Sequence, residues 1–168
     1  MTKFFSNWLI KRAKKTPYRK GHLYHTDGST YMERYALFET RWLSARVHWI
    51  ATADIDLHLH DHPWSFVSYL LRGGYTENRP KTIEPSFITN LGNIEEQTRT
   101  YRSVDYRRWA WRHSTDRHRI SHVYPNTWTL FIYGPIRQWW GFYTPAGKVH
   151  FLDYLLRRGV RRIAEGDR

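Results

Sequence analysis

The chain of 168 residues contains no cysteine and few acids, with 15 Asp and Glu against 27 Lys and Arg. Without a thiol there is no disulfide, no thiolate zinc site, no iron–sulfur cluster and no cysteine nucleophile, so any metal is held by nitrogen or oxygen. Long apolar runs are missing as well. The longest are short pieces such as Trp128 to Tyr133, broken by Thr129, whereas a membrane-spanning helix needs about 20 apolar residues. Residues 1–20 lack the apolar core and small-residue cleavage pattern of a secretory signal. The expectation is a soluble, cytoplasmic protein with no membrane partner.

What is present is an apolar content of 40% with 17% aromatics, enough to bury a core in one domain and too much for a disordered chain. The net charge of +12 is unevenly spread. Residues 1–20 carry +7 and residues 157–168 carry +3, which leaves the body almost neutral. The organisation read from this is a basic N-terminal helical segment (1–20), a β body (21–149) and a basic C-terminal helix (150–168). The basic ends are either solvated helix faces or contacts for nucleic acid or another acidic partner.

Helical spacing appears only at the ends. Phe4, Phe5, Trp8 and Leu9 precede Lys11, Arg12, Lys14 and Lys15, which predicts a short amphipathic helix over 3–15, closed by Pro17. Phe151, Leu152, Leu155 and Leu156 predict a second over 150–162, although Gly159 weakens it. Between them, short aromatic and β-branched segments separated by Gly, Pro, Asn and Asp predict strands near 30–40, 43–50, 57–62, 65–72, 75–78, 97–103, 106–112, 117–124, 127–133 and 137–143. Strands do not alternate with helices, so the fold class is all-β, a sandwich or barrel of short antiparallel strands.

Six of the ten histidines fall in two clusters, His58, His60 and His62 in one and His113, His118 and His122 in the other. Side chains alternate along a strand, so His58, His60 and His62 share one face, and so do His118 and His122. Two such strands facing each other inside a barrel bring imidazoles to one point, a donor set suited to Zn, Fe, Cu or Ni. His22, His25, His48 and His150 have no ligand-like spacing, and His113 precedes its strand.

These residues resemble the cupin superfamily. His60-Asp61-His62, three residues, Phe66, then six residues to Gly73 follow the first cupin motif, with Phe66 where a Glu is usual; His118 matches the histidine of the second. The frame starting from His58 and His60 puts Leu71 or Arg72 at the glycine and is rejected. The three-His arrangement is similar to that of cupin thiol dioxygenases such as cysteine dioxygenase. His60-Asp61-His62-Pro63-Trp64, Gly73-Gly74-Tyr75, His118-Arg119-Ile120, Gly134-Pro135 and Trp140-Gly141-Phe142 also resemble cupin-like proteins of bacteria and phages. The resemblance covers residues 44 to 143.

It implies a cupin-type double-stranded β-helix, or jelly-roll barrel, holding one divalent metal on His60, His62 and His118. Fe(II) leads, with Zn, Mn or Ni as alternatives. The implied activity is a non-haem iron oxygenase or dioxygenase acting on a small molecule and O₂. The alternatives are an isomerase, lyase or hydrolase using the same ligands, and a non-catalytic module of phage or bacterial origin whose basic ends contact nucleic acid. Cupins of this size often dimerise, so a homodimer is possible. In this frame Arg46 is a candidate for holding a substrate carboxylate or phosphate, and His58 stands beside the ligands or faces substrate. His122 is a candidate fourth ligand or proton relay, and Tyr124 and Tyr133 are candidate hydroxyl donors. Glu77 is either a ligand-side acid or a strand-end charge, while Asp61 alternates to the wrong face. Trp64, Trp128, Trp139 and Trp140 are read as core filling.

Overall fold

The computed structural model describes residues 3–16, 23–25, 28–54, 56–81, 96–104 and 108–157. A helix, α1 (Lys3–Lys14), precedes β1 (Leu23–Tyr24), β2 (Thr30–Glu39), β3 (Ser44–Ile50), β4 (Phe66–Arg72), β5 (Gly74–Pro80), β6 (Glu96–Arg102), β7 (Trp109–Arg112), β8 (Arg119–Val123), β9 (Thr127–Tyr133), β10 (Gly141–Thr144) and β11 (Gly147–His150), and α2 (Phe151–Arg157) follows them. The larger sheet has the order β1-β2-β3-β9-β4-β7. The second is assembled from the three-stranded β6-β5-β8 and the hairpin β10-β11, which are bridged by His60 paired with His118 on one side and Phe142 on the other.

From β3 onward the chain passes back and forth between the sheets: β3, then the His60 segment, β4, then β5 and β6, β7, then β8, β9, then β10. This alternation is the cupin-type jelly roll that the motifs imply. Strand alternation sorts the side chains into three layers. On the outer face of the larger sheet Tyr35, Val47, Tyr69, Leu71 and Trp128 receive Leu9, Ile10 and Ala13 of α1. Burying Leu9 and Ile10 there contributes about 1.5–3 kcal/mol each. Between the sheets, Leu70, Tyr75, Tyr101 and Ala110 form an apolar plug with Ile120 and Val123. Since Phe66 and Leu70 stand at opposite ends of β4's inner face, the plug fills one end and leaves the other to the histidines.

Several expectations are corrected. Residues 57–62 are not a continuous strand; only His60 is bridged. The strand expected from 137 begins at Gly141, because the preceding segment turns back and Arg137 N–H donates to Pro63 O at 2.7 Å. Pro145 and Ala146 form the turn of the β10-β11 hairpin. Trp128 is buried, yet under α1 rather than between the sheets, and Trp139 is half exposed. Pro17, His22, residues 106–107 and the expected helix beyond residue 157 lie outside the described residues.

The corner between β4 and β5 is the tightest turn near the plug. Gly73 adopts φ +71°, and a Cβ there would come within 2.7 Å of the Thr127 Cα. The Thr127 hydroxyl accepts from Gly74 N–H at 3.0 Å and lies 2.6 Å from Tyr124 O, so it has no room to yield. Gly73→Ala should therefore lower the unfolding free energy by about 1–3 kcal/mol, measured by urea denaturation, whereas Gly147→Ala, strained by its φ of +112° but with no atom in the way of a Cβ, should cost less.

Candidate metal centre

The site begins with two backbone hydrogen bonds. His60 N–H donates to His118 O and His118 N–H to His60 O, each at 2.9 Å. On the other flank Asp61 N–H donates to Gly141 O at 3.2 Å and Tyr143 N–H to Leu59 O at 2.8 Å. Cross-strand partners project to the same face, so His60, His118 and Phe142 point between the sheets together. His62, two residues on, joins them. One ring nitrogen from each of His60, His62 and His118 lies within 4.8 Å of the others, and His62 Nε2 is 2.7 Å from His118 Nε2.

Aromatic rings wall the group. Phe66 stands edge-on to His62 at 4.9 Å, Trp140 stacks on His62 at 6.2 Å, and Phe142 lies 5.3 Å from His60. Phe151 and Tyr154 of α2 stack in turn on Trp140 and Phe142 at 4.4 and 4.0 Å, so the helix closes this side of the site. Burial disfavours the imidazolium. It pulls His60 down to about 4, with only partial compensation from Asp54. His62 is driven well below its ordinary value by burial and then by the neighbouring His118, His60 and His48. At neutral pH these two rings are neutral, the state in which imidazole ligates a metal.

Glu77 on β5 sets the orientation of His118. Its Oε1 lies 2.7 Å from His118 Nδ1, in a contact bent away from a linear N–H···O bond. Oε2 accepts from Arg112, which also donates to the Tyr101 hydroxyl at 2.9 Å. Burial would raise the Glu77 carboxyl, but His118 and Arg112 outweigh it and hold it at about 2. With a carboxylate at Nδ1, the Nε2 lone pair of His118 is free to face the group, the arrangement that orients metal-ligating histidines. His60 Nδ1 has Asp54 Oδ2 at 3.9 Å and no hydrogen-bond partner, while Asp54 accepts from Ile120 N–H at 2.7 Å and from the Tyr31 hydroxyl. Asp61 faces away from the rings. It is fully buried, with Lys148 Nζ at 2.6 Å, the Tyr143 hydroxyl at 2.8 Å and Gly141 N–H at 3.0 Å.

The remaining candidates are spread more widely. Arg46 and Tyr133 stand on the inner face, but Arg46 is paired with Glu39 at 2.7 Å and lies over the Tyr133 ring, and Tyr133's hydroxyl meets the same Glu39. A chain of rings, Phe131 and Phe66, separates Tyr133 from His62. His58 does not project with His60: its Nδ1 meets the Tyr154 hydroxyl at 2.8 Å, which ties the ligand segment to α2. His122 is exposed and packs edge-on against Tyr124, and neither reaches the group. The reason is a register shift in β8: Glu77 pairs with Ile120 but Thr76 with His122. Ser121 is the extra residue, and a bulge reverses the alternation beyond it. His113 caps its own turn through Thr115 at 2.9 Å.

Sequence reasoning missed Asp54, Arg112 and His48. In Trp109-Ala110-Trp111-Arg112 the tryptophans are exposed and Arg112 is buried, the reverse of what the apolar alternation of the sequence suggests. His48 is buried, stacks on Phe131 at 4.9 Å, and its Nε2 has no partner. Its place two residues after Arg46 on β3 signals the inward face but not the unpartnered nitrogen.

No family model matches the chain, and no curated protein is similar to it. Among solved structures, KdgF from Halomonas sp. is 14% identical, with a TM-score of 0.44 over 64% of this chain and 82% of that one. An RmlC-like cupin from Shewanella frigidimarina is 17% identical, with a TM-score of 0.41 over 64% and 79%. Hydroxypropylphosphonic acid epoxidase from S. wedmorenis is 11% identical, with a TM-score of 0.44 over 71% and 57%. The structural neighbours are cupin-like. The strand order described above is that of a jelly roll by its own connectivity.

The buried groups predict a two-step acid response of the metal-free protein. An unfolded His60 takes up its proton near pH 6.5 and the folded one only near pH 4, so stability falls as pH drops through that window. Glu77 contributes stability above about pH 4.5 that is lost towards pH 2. Urea denaturation across pH should show His60→Asn flattening the upper part of the decline and Glu77→Gln the lower.

Proposed function

We propose that the protein is a mononuclear non-haem Fe(II) oxygenase, of the dioxygenase type, acting on a small molecule with His60, His62 and His118 as ligands. The observation that carries this reading is the convergence within 4.8 Å of ring nitrogens from two buried histidines, His60 and His118, and the half-buried His62, at a point where each neighbouring carboxylate is turned away or engaged elsewhere. Asp61 serves Lys148 and Gly141, Glu77 serves Arg112 and the far side of His118, and Asp54 serves Ile120 and Tyr31. A set of three neutral nitrogens differs from the two-His, one-carboxylate triad, and the motif resemblance to thiol dioxygenases supports oxygen chemistry. When bound, ferrous iron supplies redox capacity and open positions for O₂ and substrate.

The chain's own residues define the setting. Phe66, Trp140 and Phe142 exclude water from the rings. Glu77 fixes His118 with Nε2 inward. Arg46 is held by Glu39 over the Tyr133 ring, behind Phe131 and Phe66, and is given no part in this reading.

Anaerobic reconstitution with Fe(II) followed by elemental analysis should give one iron per chain in the wild type and under about a tenth of that in His60→Ala or His118→Ala. Glu77→Gln should retain the site but weaken the metal by about 10- to 100-fold. Nitric oxide, a surrogate for O₂, should give an iron-nitrosyl paramagnetic signal in the loaded wild type. Uptake unchanged in the histidine variants would sink the ligand assignment. Stoichiometric iron with no nitrosyl signal would sink the oxygenase reading.

A further inference from the structure

Helix α1 has two apolar faces, and the sheet uses only one. Ser6, Leu9, Ile10 and Ala13 are buried. Opposite them, spacings of four, seven and eleven residues align Phe4, Trp8, Lys11 and Lys15 on one outward stripe. Phe4 is 82% exposed and Trp8 52%, and the Phe5 ring lies beside Trp8 at 5.6 Å. The helix carries no acid, and its last turn holds Lys11, Arg12 and Lys14.

A second element adds to this surface. On the edge strand β7, Ala110 and Arg112 are buried, which turns Trp109 and Trp111 outward at 59% and 62% exposure. Trp109 packs at 4.3 Å on Tyr69, a member of the cluster beneath α1. Aromatic rings from two separate elements thus project from the same face of the larger sheet, the one that carries α1. Single exposed apolar residues are ordinary. Exposed rings grouped with cations on a surface helix that has no acid are the chemistry of a helix lying in a lipid headgroup layer.

We propose that α1, with Trp109 and Trp111, docks on an anionic lipid bilayer, with Phe4, Phe5 and Trp8 inserted among the headgroups and Lys11, Arg12 and Lys15 against their phosphates. Charge complementarity and ring chemistry point to the same occupant. A single-stranded nucleic acid would be held by rings set along a cationic groove. Here the rings come first along the stripe and the cations follow. The proposal is independent of the metal site, which lies between the sheets on the other side of the larger one.

The test is flotation of the full chain with vesicles of phosphatidylcholine mixed with phosphatidylglycerol, and with vesicles of phosphatidylcholine alone. The wild type should float with the mixed vesicles and release in high salt. The Phe4→Ser/Trp8→Ser variant should lose about tenfold in partitioning with its circular dichroism and thermal midpoint kept, and Lys11→Glu/Lys15→Glu should lose the preference for anionic lipid. Brominated lipid should quench tryptophan fluorescence in the wild type, a readout that needs no variant. Failure to float with either vesicle, equal flotation of the wild type and both variants, or binding of a single-stranded oligonucleotide in place of the vesicles would overturn the proposal.

Discussion

The exchange of backbone hydrogen bonds between His60 and His118 is the interaction on which both the fold and the site depend. These two residues join β8 to the ligand segment, and the same segment carries the hairpin β10-β11 on its other edge. Without that pair the second sheet would fall into a three-stranded piece and a hairpin. Because the same residues supply two of the three converging rings, closing the sheet and assembling the donor set are one event. The third ring, His62, comes from the irregular segment that follows and is held in place by Gln138 at its carbonyl.

Two buried carboxylates brace the His60–His118 pair from opposite faces. Inside, Glu77 is matched by Arg112 and His118; outside, Asp61 is matched by Lys148 and by the N–H of Gly141. A chain with few acids places two of them where water is excluded, and each has a cation to offset the cost of desolvation. The outer network does mechanical work for the inner one. Gln138 reaches Asp61, His62 O and Ser114 O together, which fixes the backbone from which the His62 ring projects.

Much of this was legible in the sequence. The β class followed from short aromatic segments with turn residues between them, the helix α1 from its 3.6-residue spacing, and the three histidines from the motif around His60-Asp61-His62. What stayed hidden has physical reasons. The bulge at Ser121 leaves no mark in composition, so strict alternation carried His122 to the wrong face. The Glu77 and Arg112 pair links residues 35 apart in the chain, and only their meeting across the sandwich gives either one a role. His58 was placed by alternation along a strand that the chain does not form there, and Tyr154 of α2 takes its ring instead.

The seat of α1 has a wider consequence for the interior. In a two-layer sandwich, the space between the sheets must supply most of the apolar burial that holds them. Here part of that duty is met outside, where the helix covers Val47, Tyr69, Leu71 and Trp128. The inner lining is thereby relieved and tolerates Arg46, His48, Glu77, Arg112 and the three converging histidines between the sheets. Apolar packing and the polar lining are assigned to opposite sides of a single sheet, so the inner lining can diverge in sequence while the layer that holds the sheet stays as it is.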